Sequence, residues 1–156
     1  MQFIIDKQTR CNQGQLYFDK SKKLFYFEPT AVTDVSIMVG EYLDLCSEIK
    51  SSNSIRVKSL YGEVSYTDWI NEPLSPPLSE KGGLFLSDAK LDAGTGIRII
   101  EESDLKVTFD EKCGWVKFFW KKEENTSTIF VEFANDCIAG ITDEWISTLW
   151  LKPKFI

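Results

Sequence analysis

No histidine occurs in the 156 residues of the chain. Histidine is the only side chain whose ordinary pKa places its charge change between about pH 5 and 8. Its absence excludes Ser-His-Asp and Cys-His catalysis, histidine-ligated zinc and every proton transfer through an imidazole. Two catalytic routes survive: paired carboxylates can hydrolyse a glycoside, and a serine–lysine dyad can acylate. Cysteine is also sparse. Cys11, Cys46, Cys113 and Cys137 are scattered without a CxxC pair. That spacing suits neither a thiolate zinc site nor a disulfide frame, so reduced thiols are expected. Long apolar runs are missing too. The N-terminus "MQFIIDKQTR" has only Phe3, Ile4 and Ile5 in sequence before Asp6, whereas a signal peptide needs an apolar region of about 7–15 residues and a membrane-spanning helix about 18. The location expected from these absences is cytoplasmic.

What is present fits a folded domain. The chain is 43 % hydrophobic and 27 % charged, with eleven Phe, five Tyr and five Trp. A domain this long buries roughly 70 % of its unfolded surface, so a core can form without metal or disulfide. A single domain over 1–156 is expected, with a Pro/Gly-rich loop at about 71–84 between two halves. Charge is uneven. Residues 1–60 carry 7 acids and 8 bases, and residues 61–156 carry 17 acids and 10 bases, which together give −6. An acidic chain repels phosphate backbones, so no nucleic-acid partner is expected, and the sign suits a basic protein partner.

Most of the chain alternates apolar and polar residues, as strands do. In "QLYFDKSKKLFYFEP" (15–29), pairing Asp19 with Leu24 leaves a four-residue loop and puts Leu16, Phe18, Phe25 and Phe27 on one face. Pro29 ends that hairpin, because proline cannot donate to a ladder. Residues 35–49 fit strand or helix, and strand is favoured by the β-branched start and Gly40. Strands are also expected at 55–66, 83–88, 95–102, 105–110, 115–122 and 128–134. "ITDEWISTLWLKP" (141–153) predicts a helix. Thr142 would be its N-cap, Asp143 and Glu144 would suit its positive end, and Trp145, Ile146, Leu149 and Trp150 would form an apolar stripe. Lys152 and Pro153 would close it. The fold class expected is therefore α+β: a largely antiparallel sheet of short strands and hairpins, with a C-terminal helix packed on it.

"FDEKCGWVKFFWKK" (109–122) is the densest stretch, with four aromatics and three lysines between Trp115 and Lys122. Pairing Asp110 with Trp115 sets Leu105, Val107, Phe109, Val116, Phe118 and Trp120 on one core face, and Gly114 supplies the positive φ that such a loop end can require. The other face carries Trp115, Lys117, Phe119 and Lys121. Two rings there would mark an interaction site unless the C-terminal helix or the N-terminal hairpin covers them.

Short motifs add little. "SEIK" (47–50) has SxxK spacing but no companion motif. "DAGTGIR" (92–98) precedes a strand and lacks the helix of a dinucleotide site. Asp88 and Asp92 lack the ligand order of a calcium loop. "NTS" (125–127) is expected to form a hairpin turn. Glu101, Glu102, Asp104, Asp110 and Glu111 cluster around one strand, where they suit a docking patch better than a glycosidase pair, which needs one carboxyl in an apolar cleft.

The function expected is a small, acidic, cytosolic binding protein without catalysis that docks on a protein partner and blocks it. In size, acidity and lack of cofactor motifs, the chain is similar in general character to the immunity proteins that neutralise bacterial toxins. The candidate docking residues are Glu101, Glu102, Asp104, Asp110, Glu111, Trp115, Lys117 and Phe119, and a basic toxin domain is the partner class that charge favours. No catalytic residue, cofactor, metal or membrane is expected. The alternative is a carboxylate-based hydrolase or small-ligand-binding protein using a cleft between the two halves.

Overall fold

The computed structural model describes residues 1–30, 32–100, 105–120 and 125–156. Every regular element in them is a strand: β1 (Gln2–Asp6), β2 (Gln15–Asp19), β3 (Leu24–Glu28), β4 (Val35–Met38), β5 (Tyr42–Ser51), β6 (Ser54–Glu63), β7 (Ile70–Asn71), β8 (Glu80–Lys81), β9 (Gly83–Ser87), β10 (Gly96–Arg98), β11 (Lys106–Asp110), β12 (Trp115–Phe119), β13 (Ile129–Ala134), β14 (Cys137–Thr142), β15 (Trp145–Leu151) and β16 (Lys154–Phe155). The described residues are all-β, which overturns the α+β class.

The C-terminal helix expected over 141–153 is instead the hairpin β14–β15. Thr142 pairs with Trp145, so Asp143 and Glu144 are not a first helical turn but a two-residue loop. Both have positive φ, 50° and 64°, as a type I′ turn demands. A register shift between Gly140 and Ile141 leaves Ser147 without an opposite residue. That bulge re-phases the strand, so Ile146 and Leu149 both face the core although they are three residues apart. An apolar spacing of that kind imitates a helix.

The two hairpins predicted from alternation form in the stated registers. β2 pairs with β3 through Asp19↔Leu24, and β11 pairs with β12 through Asp110↔Trp115. Gly114 closes the second loop at φ 81°. Residues 35–49 are extended rather than helical, as favoured, but form two antiparallel strands, β4 and β5, joined by a turn at 39–41. The NTS segment does turn, with the Thr128 N–H donating to the Asn125 carbonyl at 3.1 Å. It does not make a hairpin, however, because β15 and β14 lie between β12 and β13 in the sheet.

Two mixed sheets result. The first follows β10-β4-β5-β6-β3-β2-β16, with β9 joined to β6 and β1 to β9. The second follows β7-β11-β12-β15-β14-β13-β8. Their inner faces share one hydrophobic cluster, in which Phe25 of the first sheet meets Phe118 of the second edge-on at 5.7 Å. The Trp120 indole N–H donates to the Val39 carbonyl at 3.1 Å and ties the layers further.

The Pro/Gly-rich segment acts as a strap. It joins β7 on one edge of the second sheet to β8 on the other. The Leu74 N–H donates to the Asp110 carboxylate at 2.9 Å, and Leu78 shares a recess with Phe130. Asp110 and Phe130 both belong to the outer face of the sheet, so residues 72–79 cross on that side. Short edge strands and prolines also protect the sheet edges against pairing with another chain.

Candidate functional site

The outer layer of the second sheet is built by cross-strand neighbours. One row runs Thr108, Lys117, Trp150 and Ile138; the next runs Lys106, Phe119, Thr148, Gly140 and Phe130. Trp150 and Ile138 are buried yet stand outside the central cluster, as expected for this second apolar layer. Glycine is required at 140, where a Cβ would meet the Thr148 hydroxyl at 2.5 Å and the Phe130 ring at 2.9 Å. Trp115 packs edge-on to Trp150 at 6.4 Å. The Lys117 ammonium lies 5.4 Å from the Phe119 ring centre and 5.0 Å from that of Trp150, and Lys152 lies 6.0 Å from Trp115. These are cation–π distances. Three buried polar atoms in this layer, the Thr108 and Thr148 hydroxyls and the Trp150 indole N–H, have no hydrogen-bond partner among the described residues.

Trp115, Lys117 and Phe119 are thus brought together on one face, half-buried and beside the strap. Among the described residues, neither a helix nor the N-terminal hairpin covers them, and the strap crosses the same face beside them. Asp110 is close by but structural. Its carboxylate accepts the backbone N–H groups of Leu74 and Lys112. Its pKa is held below the usual carboxylate range, first by Leu74 and next by Cys113. Glu111 points the candidate set elsewhere, since it lines a cavity at the end of the sandwich. Glu101, Glu102, Asp104 and Lys121 lie outside the described residues. Sequence reasoning placed Thr108 opposite Lys117 but missed Phe130, Thr148 and Trp150. These join the face only because β15 lies beside β12, β14 beside β15 and β13 beside β14, which no local pattern encodes.

The cavity lined by Glu111 measures about 500 Å³, and its other walls include Phe18, Tyr66, Trp69, Phe109 and Phe155. Four of these rings close a circuit: Phe18–Trp69 5.1 Å, Trp69–Phe109 5.7 Å, Phe109–Phe155 5.3 Å and Phe155–Phe18 5.8 Å. Residues from both sides of the strap meet here. Among the described residues Glu111 is its one lining carboxylate, so they assemble no glycosidase pair there.

A groove of about 550 Å³ on the outer face of the first sheet is more polar, with Ser36, Asp44, Cys46, Ser59 and Tyr61 in its lining. Burial pushes the Asp44 carboxyl above its ordinary value against the opposing Ser36 hydrogen bond. Asp19, at the same groove, is held low by the Ser21 hydroxyl and the Lys22 N–H. All four cysteines are free. Among the described residues, no group of three or more Cys, Asp or Glu is placed to hold a metal ion, and no helix is long and apolar enough to cross a membrane. No protein-family model matches the chain, and no curated protein matches it.

Proposed function

We propose that this chain is a non-catalytic binding protein that docks a protein partner on the outer layer of its second sheet, acting in the cytoplasm. One observation carries the reading. The outer face of a two-sheet fold is ordinarily polar, but here it is a second aromatic layer with lysines set among its rings and, among the described residues, unpartnered polar atoms beneath them. Partly exposed aromatic side chains in a contiguous patch are enriched in protein-binding surfaces, and lysines suit the polar rim of such a surface. Leu78 on the strap, fully exposed, shares a recess with Phe130 and extends the apolar part of the patch.

Charge refines the partner. The net charge of −6 favours approach of a basic protein at long range. The docking face itself presents Lys106, Lys117 and Lys152, so acidic or carbonyl groups of the partner belong at the contact. A toxin neutralised by a small acidic immunity protein is one such partner, and a toxin-like gene immediately upstream would support it. The direct test is capture from native lysate at low salt, comparing the natural protein with Trp115→Ala and Lys117→Glu variants whose folding is checked by circular dichroism. A stoichiometric protein retained by the natural chain and lost by both folded variants is expected. Equal capture by all three would remove this face from the proposal.

A further inference from the structure

We infer that the aromatic cavity at the end of the sandwich binds a small zwitterionic molecule carrying a planar ring. Its volume, about 500 Å³, lies within the range of small-ligand pockets, which are mainly apolar with a few polar groups that fix orientation. The aromatic wall comes from four separate parts of the chain: β2, the segment after β6, β11 and β16. Rings in edge-on and tilted contact leave aromatic faces and edges on which another planar ring can stack.

The charges decide the ligand class. Lys20 and Glu111 both line the cavity. The Lys20 ammonium stands 5.5 Å from the Phe155 ring centre, which places a cation on the aromatic wall. Neither residue makes an ion pair among the described residues. An uncommitted cation and an uncommitted anion on one apolar recess match a ligand that brings a carboxylate, an ammonium and a ring together. A free aromatic amino acid has that chemistry. An aromatic side chain within a protein does not, because its own amino and carboxyl groups are tied up in peptide bonds.

The test uses four probes on the full chain labelled with nitrogen-15: L-tryptophan, tryptamine, indole-3-propionate and N-acetyl-L-tryptophanamide. The indole N–H resonance of Trp69 reports binding, assigned with a Trp69→Phe variant. L-tryptophan is expected to shift that resonance and to bind about tenfold more tightly than the blocked amide. Lys20→Gln should weaken L-tryptophan and indole-3-propionate about three- to fivefold and leave tryptamine unchanged. Glu111→Gln should weaken L-tryptophan and tryptamine to a similar degree and leave indole-3-propionate unchanged. Both residues are exposed, so the variants should fold. Equal affinity for L-tryptophan and the blocked amide would overturn the zwitterion assignment, and absence of any shift at Trp69 would overturn the site. The docking face takes no part in this test, so failure here leaves that proposal standing, and the reverse.

Discussion

The two faces of the second sheet are both largely aromatic and aliphatic, yet they are built to different standards. On the inner face, Val116, Phe118, Leu149 and Leu151 pair across β12 and β15, and each is completely buried. No polar group interrupts them. On the outer face the same strands present Lys117, Phe119, Thr148 and Trp150. There the hydroxyl of Thr148 and the indole N–H of Trp150 are buried without partners among the described residues. Buried polar groups are normally satisfied, and each exception calls for a cause. The inner layer is optimised for cohesion. The outer layer gives up some cohesion to hold lysines and polar atoms among rings, and on that contrast the docking proposal rests.

Substitutions can break this contrast, and the largest effect belongs to the inner layer. Phe118→Ala should cost about 3–5 kcal/mol, read as a shift of the denaturation midpoint, because the ring is fully buried and meets Phe25 across the sandwich. Trp115→Ala on the outer face should cost less, about 1–2 kcal/mol, while abolishing partner capture. If the two substitutions cost the same, the outer layer is simply more core, and the docking proposal loses its basis.

A smaller and opposite effect sharpens the contrast. Thr148→Val replaces a buried hydroxyl that has no partner among the described residues by a methyl of similar shape. Removing a polar atom that has no partner should stabilise the fold by roughly 0.5–1 kcal/mol. A loss of stability in thermal melts would mean that the hydroxyl is satisfied in solution.

The inner layer was legible in the sequence and the outer layer was not, for a physical reason. Alternation over 105–120 already sorts Val107, Phe109, Val116 and Phe118 from Lys106, Thr108 and Lys117 within a single hairpin. The outer layer needs β15 beside β12, a pairing between residues about thirty positions apart. The bulge at Ser147 and the Asp143–Glu144 turn then disguised β14 and β15 as a capped helix. Turn chemistry misled in the same place, because the positive φ at both positions is ordinarily filled by Asn or Gly. Of the candidate docking residues, Trp115, Lys117 and Phe119 share a face, whereas Asp110 anchors the strap and Glu111 lines the aromatic cavity.

That anchor provides the next test. Asp110→Ala should release Leu74 and expose residues 72–79 to protease, with only a slight fall in melting temperature, because the carboxylate is at the surface. Acid should act in the same direction. The native Asp110 carboxyl titrates below its unfolded counterpart, so its contribution is complete above about pH 4 and fades as pH falls through the lower native value. Hydrogen exchange at the Leu74 N–H, compared at pH 3 and pH 6, would show whether the strap loosens first.

The smallest expected effect is an absence of change near neutrality. With no histidine, no side chain of ordinary pKa titrates between about pH 6 and 7.5. The shifted thiols move away from that window. Burial, then Glu132, raises Cys11 to about 11, and burial also raises Cys46 and Cys137. Asp6, Asp19 and Asp110 move away on the other side. Among the described residues, Asp44 is the carboxyl displaced upward, by burial. The melting temperature should therefore be flat from pH 6 to 7.5. If it is not, the sign identifies the cause. A carboxyl raised in the folded state binds its proton more tightly there, so stability would rise as pH falls, opposite to the Asp110 limb. Asp44→Asn should then flatten the profile, and a slope surviving that substitution would place the titrating group elsewhere.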